Sequence, residues 1–225
     1  MKIKFLTLST ILILSSVAIQ AQFGILGGVN FQNINGKNSS GNKLENGLLT
    51  GFHAGVNINI PISPNFYFQP GLLFSVKGSM NEFYNPLSKA SGDYATTTRL
   101  SYIELPLNLL YRPQLGNGYL LLGFGPYVAY GIKGKETTQL NSVSVERPVK
   151  FENSVGLIDW ISNAYYRPFD AGANILFGYE FGMGAFIQLN AQLGLLKINP
   201  EYTWLSDDQT AYMNTGFGLS LGYRF

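Results

Sequence analysis

Few side chains in this sequence could support catalysis or metal binding. His53 is the only histidine among 225 residues, and there is no cysteine. A zinc site needs several such ligands, so we expect no metal ligand. A hydrolase would need His53 beside a serine or an aspartate, but Asp93, Asp207 and Asp208 follow no defining spacing. We therefore expect no catalytic residue and an ordinary structural role for His53 at a rim or in an interior.

Paired glycines raise the question of a phosphate-binding loop. Gly-x-Gly pairs occur at 123–125, 182–184 and 216–218. None extends to Gly-x-Gly-x-x-Gly or precedes a helical pattern, as dinucleotide binding requires. We expect these glycines to make room for bulky neighbours, and we expect no cofactor.

A carboxylate in an alternating segment is more informative. Residues 102–111 read YIELPLNLLY, so one face carries Ile103, Leu105, Leu107 and Leu109, and the other carries Tyr102, Glu104, Pro106 and Asn108. This period of two predicts a β-strand with one apolar face. Glutamate and proline are unusual in the middle of a central strand, so the polar face must have a special environment.

An interior face predicts a charge network around Glu104. A buried carboxylate without a partner is unfavourable, so Glu104 needs a cation. The expected structural network comprises Glu104, Arg224, Lys77, Asp170 and Glu180. We rank arginine above lysine as the partner of Glu104, because a guanidinium pairs with a carboxylate in a bidentate manner. Arg99 is a further candidate.

Prolines interrupt the same strands. Pro70, Pro106 and Pro126 each remove one hydrogen bond from the strand ladder, so we expect bulges or local water at these positions.

Eight alternating segments position these residues. They lie near 22–31, 49–60, 66–78, 97–111, 119–131, 167–180, 185–196 and 212–225. Short connections rich in Pro and Gly, at 61–65, 112–118 and 181–184, alternate with long ones at about 32–48, 79–96, 132–166 and 197–211. This pattern predicts an all-β fold, an eight-stranded antiparallel transmembrane β-barrel of the outer-membrane type with extracellular long loops. A soluble β-sandwich has no reason to segregate its long loops to one end.

Composition indicates that the outer face contacts lipid. Charged residues make up 12% of the chain and aromatic residues 14%, whereas soluble domains carry about 25% charged residues. A soluble lipocalin-like barrel would place apolar residues inside and polar residues outside. An aromatic girdle is expected at the end with the short turns, from Phe23, Phe66, Tyr111, Tyr119, Phe181, Tyr223 and Phe225.

The beginning of the chain has the layout of a secretory signal peptide. Lys2 and Lys4 precede an apolar run that is too short for a spanning helix, and Ala21 is suited to cleavage. The predicted domains are a signal peptide at 1–21 and a barrel domain at 22–225. Two of the 15 Lys and Arg residues are Lys2 and Lys4, which leaves 13 against 13 Asp and Glu. No basic patch suggests nucleic acid as a partner.

The segment around Glu104 resembles a known family signature. Tyr102, Glu104, Leu105 and Pro106 are similar to the Tyr-x-Glu-(Ile/Leu/Val)-Pro motif of the PorT-like outer membrane β-barrel domain family. Asp170 and Gly172 resemble that family's later Asp-x-Gly strand. The resemblance implies an eight-stranded outer-membrane barrel without catalytic activity.

Two loop segments contain tryptophan among apolar and acidic residues. Trp160 and Trp204 either anchor and pack their loops or form a surface that binds a protein or a glycan. We expect a non-enzymatic, monomeric protein of the cell outer membrane with a structural or surface-interaction role. Its expected partners are lipid and the outer-membrane assembly machinery, which reads a terminal aromatic residue such as Phe225. A narrow pore or small-ligand carrier is the alternative, and a hydrolase at the rim is the least favoured reading.

Overall fold

A computed structural model describes residues 21–83, 94–140, 143–156, 163–204 and 208–225. Residues 1–20 of the predicted signal peptide, and the loop residues Asp93, Trp160 and Asp207, lie outside the described residues. Among the described residues, no helix is long and apolar enough to cross a membrane.

Eight long strands form one closed antiparallel ring. They are β1 (Gln22–Lys37), β2 (Leu49–Ser63), β3 (Phe66–Phe83), β4 (Tyr94–Tyr111), β5 (Gly118–Leu140), β6 (Phe169–Phe181), β7 (Ala185–Gly194) and β8 (Ala211–Arg224). Each strand pairs with the next, and β8 pairs with β1. The predicted all-β, eight-stranded antiparallel barrel is therefore confirmed.

The two ends of the barrel differ. At the turn end, short connections at 64–65, 112–117 and 182–184 join β2–β3, β4–β5 and β6–β7. Asn65 and Gly184 adopt positive φ values of 67° and 90° there. At the loop end, the strands run further than predicted, because β1 reaches Lys37 and β5 reaches Leu140. The polar sequences expected to be loops continue the ladder beyond the apolar part of the barrel.

Short elements cover the loop end. Val143–Phe151 pairs with the extension of β5, and Ala164–Tyr166 runs parallel to its last residues. Ser154–Val155 pairs with Glu201–Tyr202 in a separate two-stranded sheet. In addition, Gln114–Leu115 pairs with the start of β5 in the turn at the opposite end.

The predicted facing of β4 is confirmed. Ile103, Leu105 and Leu109 are 39%, 40% and 37% exposed, whereas Glu104 is 1% exposed. Leu107 is half-exposed on the same outer face. Glu104 therefore lies in the lumen and the aliphatic residues lie outside.

Most of the expected girdle residues are exposed at the turn end. Phe66 packs on Tyr111 with ring centroids 4.8 Å apart, and Tyr223 packs on Phe225 at 5.1 Å. The expected place of Tyr119 in this girdle is wrong. Tyr119 is half-buried, and its ring lies 3.6 Å from the guanidinium carbon of Arg112, which is itself buried.

No bulge occurs at the prolines, so the first of the two expectations, bulges or local water, is wrong. The register between β3 and β4 is the same on both sides of Pro70, and that between β4 and β5 is unchanged across Pro106. Pro126 faces outward and stays opposite Ala173. A slip of one residue would turn Glu104 toward lipid, so the ladder loses a hydrogen bond and keeps its register.

A bulge does occur near the loop end of β5. Tyr102 is opposite Gly131 and Ser101 is opposite Lys133, so Ile132 is the extra residue. Ile132 and Lys133 are both exposed as a result. Beyond the bulge the outer face of β5 carries Lys133 and Lys135 in place of aliphatic and aromatic residues. The bulge therefore marks the change from an apolar to a polar outer face.

Of the paired glycines, Gly123 and Gly216 make room for large side chains, as expected, whereas Gly125 lies against the backbone of Leu107. A Cβ atom on Gly123 would lie 2.8 Å from the side chain of Leu176, and one on Gly216 would lie 2.6 Å from that of Gln32. Gly184 differs, because its positive φ serves the turn between β6 and β7.

Candidate functional site

A charge cluster occupies the lumen between β3, β4 and β6. Lys77 on β3 extends its ammonium group between two carboxylates, 2.8 Å from Glu104 Oε2 and 3.2 Å from Asp170 Oδ2. All three side chains are at most 1% exposed. Glu104 and Asp170 both lie opposite Ala129, whose small side chain leaves space between them. We call these three charged residues the central cluster.

Neutral groups complete the central cluster. Asp170 accepts hydrogen bonds from Asn214 Nδ2 at 2.9 Å and from the Tyr127 hydroxyl at 3.3 Å. Glu104 Oε1 accepts one from Gln192 Nε2 at 2.5 Å. The Lys77 ammonium also lies 4.1 Å from the centre of the Tyr127 ring, within cation–π range. One cation thus serves two carboxylates, and the cluster carries one excess negative charge when all three groups are ionised.

A second cluster lies at the turn end and has the opposite net charge. Glu180 accepts hydrogen bonds from Arg112 Nη2 at 2.5 Å and from Arg224 Nε at 2.8 Å. The three side chains are nearly buried. Arg224 Nη1 also donates to Asn57 Oδ1 at 3.1 Å. This turn-end cluster has two cations and one carboxylate, so the charges of the two clusters cancel across the lumen.

The expected network is therefore divided between two places. Glu104, Lys77 and Asp170 meet in the central cluster, whereas Glu180 and Arg224 meet at the turn end. The ranking of arginine above lysine is wrong for Glu104, whose partner is Lys77. Alternation along a strand predicts the face on which a residue lies but not its position along the barrel axis. Arg224 lies at the turn end of β8 and is therefore too far from Glu104.

Two further arginines show the limits of this reasoning. Arg99 is exposed and donates to the Thr50 carbonyl at 3.1 Å, so it does not reach Glu104. Arg112 is absent from the expected network, because the sequence pattern places it in the short connection at 112–118. A signal was available, since Arg112 continues the inward alternation of Asn108 and Leu110 just beyond the end of β4.

His53 lies inside the lumen and not at the rim. Its Nδ1 lies 2.6 Å from Asn30 Oδ1, and its Nε2 lies 2.7 Å from Ser220 Oγ. Ser220 also accepts a hydrogen bond from Asn190 Nδ2 at 2.7 Å. Serine, histidine and amide are arranged here as in a nucleophilic site, but Ser220 is fully buried within the barrel. Both ring nitrogens of His53 are engaged in structural hydrogen bonds.

A belt of amides fills the lumen between the two clusters. Asn174 donates to Asn108, Asn108 donates to Gln69 at 3.2 Å, and Gln69 donates to Asn59 at 2.9 Å. A cavity of about 60 Å³ lies among these side chains, which is enough space for on the order of four waters. The interior is polar and nearly filled, as expected for a barrel of this size.

Above the bulge, the chain forms a pocket at the loop end. Its volume is about 240 Å³, and its lining comprises Glu136, Arg147, Asn163, Ala164, Tyr165, Tyr166, Tyr202 and Tyr212. We call it the loop-end pocket. Glu136 and Arg147 are opposite each other in the β5 hairpin and form an ion pair. Burial raises the pKa of the Tyr202 phenol, and so do the nearby groups Tyr212, Asp208 and Glu136.

One predicted tryptophan lies beside this pocket. The half-buried ring of Trp204 packs against Tyr202 with centroids 5.2 Å apart. Trp160 falls outside the described residues. Glu136 and Arg147 are absent from the expected site residues, because the sequence pattern places them in the long connection at 132–166. Recognising a hairpin there would have placed both side chains on one face.

Comparison with known proteins defines the class to which the chain belongs. Residues 15–198 match the family model of the outer membrane protein β-barrel domain. The match covers more than half of the 225 residues. The chain is therefore a member of the outer membrane protein β-barrel domain family. No curated protein matches it.

Several solved structures are similar to the chain over most of its length. Ail, the attachment invasion locus protein of Yersinia pestis, in complex with the heparin analogue sucrose octasulfate, is 13% identical with a TM-score of 0.39, over 91% of this chain and 99% of that chain. A major outer membrane protein from Thermus thermophilus is 12% identical with a TM-score of 0.36, over 92% of this chain and 100% of that one. These values are too low to transfer any property of those proteins.

Proposed function

We propose that this outer-membrane β-barrel is non-enzymatic and acts through its surface at the loop end, with the barrel as its anchor. The observation that carries this proposal is the filled lumen. Two buried charge clusters and an amide belt occupy the interior, and the cavity between them is about 60 Å³. The loop-end pocket, at about 240 Å³, is larger and lies beyond the apolar outer face.

A narrow pore or small-ligand carrier is the competing function. The polar lining of the lumen cavity favours it, because amides and His53 could hold a small polar solute. The filled lumen opposes it, since a solute would have to pass both charge clusters. Breaking a buried ion pair of this kind costs on the order of 3–5 kcal/mol.

Solute flux into proteoliposomes tests the proposal against this competitor. Liposomes that contain the purified protein are placed in an isotonic solution of arabinose, with a known porin as the positive control. We expect no swelling above that of empty liposomes. Swelling at a rate comparable to that of the porin would overturn the proposal in favour of the pore.

The proposal also includes the processing, the topology and the oligomeric state of the protein. We infer that residues 1–21 are removed during secretion, that the long loops are extracellular, and that the barrel is a monomer in lipid. The motif at Tyr102, Glu104, Leu105 and Pro106 supports placement among the PorT-like members of the family.

A further inference from the structure

The loop-end pocket combines aromatic rings with a charged pair that is already neutralised. We propose that this pocket binds a neutral saccharide of one or two rings. The inference rests on the proposed function and deepens it, because it names the class of ligand that the surface would recognise.

The aromatic part of the pocket is suited to a sugar ring. The tyrosines occur at four positions of its lining, and two of them, Tyr202 and Tyr212, are only partly buried. The C–H face of a pyranose packs on an aromatic face, while a phenolic hydroxyl offers a hydrogen bond at the ring edge. Trp204 packs against Tyr202 and supports its ring from outside the pocket lining.

The polar part of the pocket favours a ligand without net charge. Glu136 and Arg147 neutralise each other, so a charged ligand would have to compete with an existing ion pair. The pair still has hydrogen-bonding capacity, because a carboxylate offers about four acceptor sites and a guanidinium five donors. Asn163 adds a further amide. Hydroxyl groups can use these donors and acceptors without separating the two charges.

The size of the pocket limits the ligand. Its volume of about 240 Å³ lies just below the range of roughly 300–1,000 Å³ that is typical of sites for drug-sized molecules. One sugar ring, or two with part of the second outside, matches this space.

The hairpin itself supplies matched control positions. Glu136 and Arg147 face the pocket, whereas their chain neighbours Lys135 and Glu146 form an exposed ion pair on the other side. The side chains of Lys135 and Glu146 are 52% and 58% exposed. Changing either pair alters the charge of the same hairpin by the same amount. Only the first pair lies in the pocket.

Saturation-transfer NMR with the full chain, folded in detergent, tests the inference. The neutral probes are methyl α-glucoside, methyl α-galactoside, N-acetylglucosamine and maltose, with cationic glucosamine and anionic glucose 6-phosphate as charged counterparts. We expect at least one neutral probe to bind more tightly than both charged ones. The double variant Glu136→Gln/Arg147→Gln should weaken this binding by about tenfold or more, as loss of hydrogen bonds to charged groups does.

Controls separate the pocket from the fold. The double variant Lys135→Gln/Glu146→Gln should bind the same probe within about twofold of the unmodified protein, since an exposed pair contributes little. Tyr202→Ala, which leaves the ion pair intact, should also weaken binding. Each variant is first shown to be folded by the heat-dependent shift of its gel band. A variant that fails this check is replaced by Tyr202→Ala as the deciding one.

The outcomes that overturn the inference are distinct. The proposed saccharide site is contradicted if no neutral probe binds. It is also contradicted if the pocket and control variants bind equally well, or if a charged probe binds more tightly than the neutral ones. The arabinose swelling assay in liposomes tests the proposed function separately. A protein that binds no sugar but excludes arabinose loses only this inference, whereas one that binds sugar and conducts arabinose loses only the proposed function.

Discussion

Lys77 and Glu180 are each the only charge of their sign in their cluster in the lumen. Lys77 is one cation between two carboxylates, and Glu180 is one carboxylate between two arginines. Removal of a carboxylate therefore has opposite consequences in the two places. Neutralising Glu104 leaves Lys77 paired with Asp170, whereas neutralising Glu180 leaves two arginines together without their anion.

The first prediction compares one substitution at these two positions. Glu180→Gln should destabilise the barrel by about 3–5 kcal/mol, because it leaves buried cations unpaired. Glu104→Gln should cost at most about 1 kcal/mol, since a balanced pair and the shape of the side chain remain. The measurement is the midpoint temperature of the heat-dependent gel shift in detergent. Equal midpoints for the two variants would contradict the division into two clusters.

The second prediction concerns the cation of the central cluster. Lys77→Met should be more harmful than Glu104→Gln, because it leaves Glu104 and Asp170 buried next to each other without a cation. Lys135→Met, at an exposed pair on the hairpin, serves as the control and should leave the midpoint temperature unchanged. A Lys77→Met midpoint as high as that of the control would show that solvent reaches the cluster.

At the scale of the strands, alternation predicted most of the architecture. The eight segments and the facing of Glu104 follow from a period of two, because a slip of one residue would turn every side chain to the other face. The short turns follow from the Pro and Gly residues between the segments. The position of each residue along the barrel axis does not follow from this period. The partner of Glu104 and the inclusion of Arg112 depend on registers between strands, and those are fixed only when the ring closes.

The ends of the strands were less predictable for a related reason. Beyond Ile132 the sequence becomes polar on the outer face, which resembles a loop, although the ladder continues to Leu140. The Glu136–Arg147 pair was missed because of this resemblance. A hairpin outside the bilayer no longer needs an apolar outer face, so composition alone cannot distinguish it from a loop.

The third prediction tests the bulge as the boundary of the bilayer. The chain has no cysteine, so single cysteines can be introduced at outward positions on β5. In proteoliposomes, Lys135→Cys should react with a membrane-impermeant maleimide, and Val128→Cys should not. Reaction at Val128 as fast as at Lys135 would place the boundary elsewhere.

The two ends of the barrel differ in structure across the whole protein. The turn end carries tight turns, an aromatic girdle and the cluster around Glu180. The loop end carries the extended hairpin and the loop-end pocket. Under the proposed function, the loop end is the recognition surface and the turn end is the compact base of the barrel.

The fourth prediction concerns orientation. Protease added to intact cells should cut within 132–166 or 197–211 and should spare 61–65 and 112–118, because bacterial barrels place long loops outside the cell. Lysed cells provide the control for access to both ends. Cuts in the short turns before lysis would reverse the orientation.

If the two charge clusters fill and seal the lumen, no ion can pass through the barrel. The most direct measurement is the ionic current through single barrels in a planar bilayer, with insertion verified by protease protection of the same preparation. We expect no current steps above the background of the empty bilayer in a symmetric potassium chloride solution. Regular, ohmic steps that scale with the amount of inserted protein would contradict the account, because they would require an open path past Lys77 and Glu180.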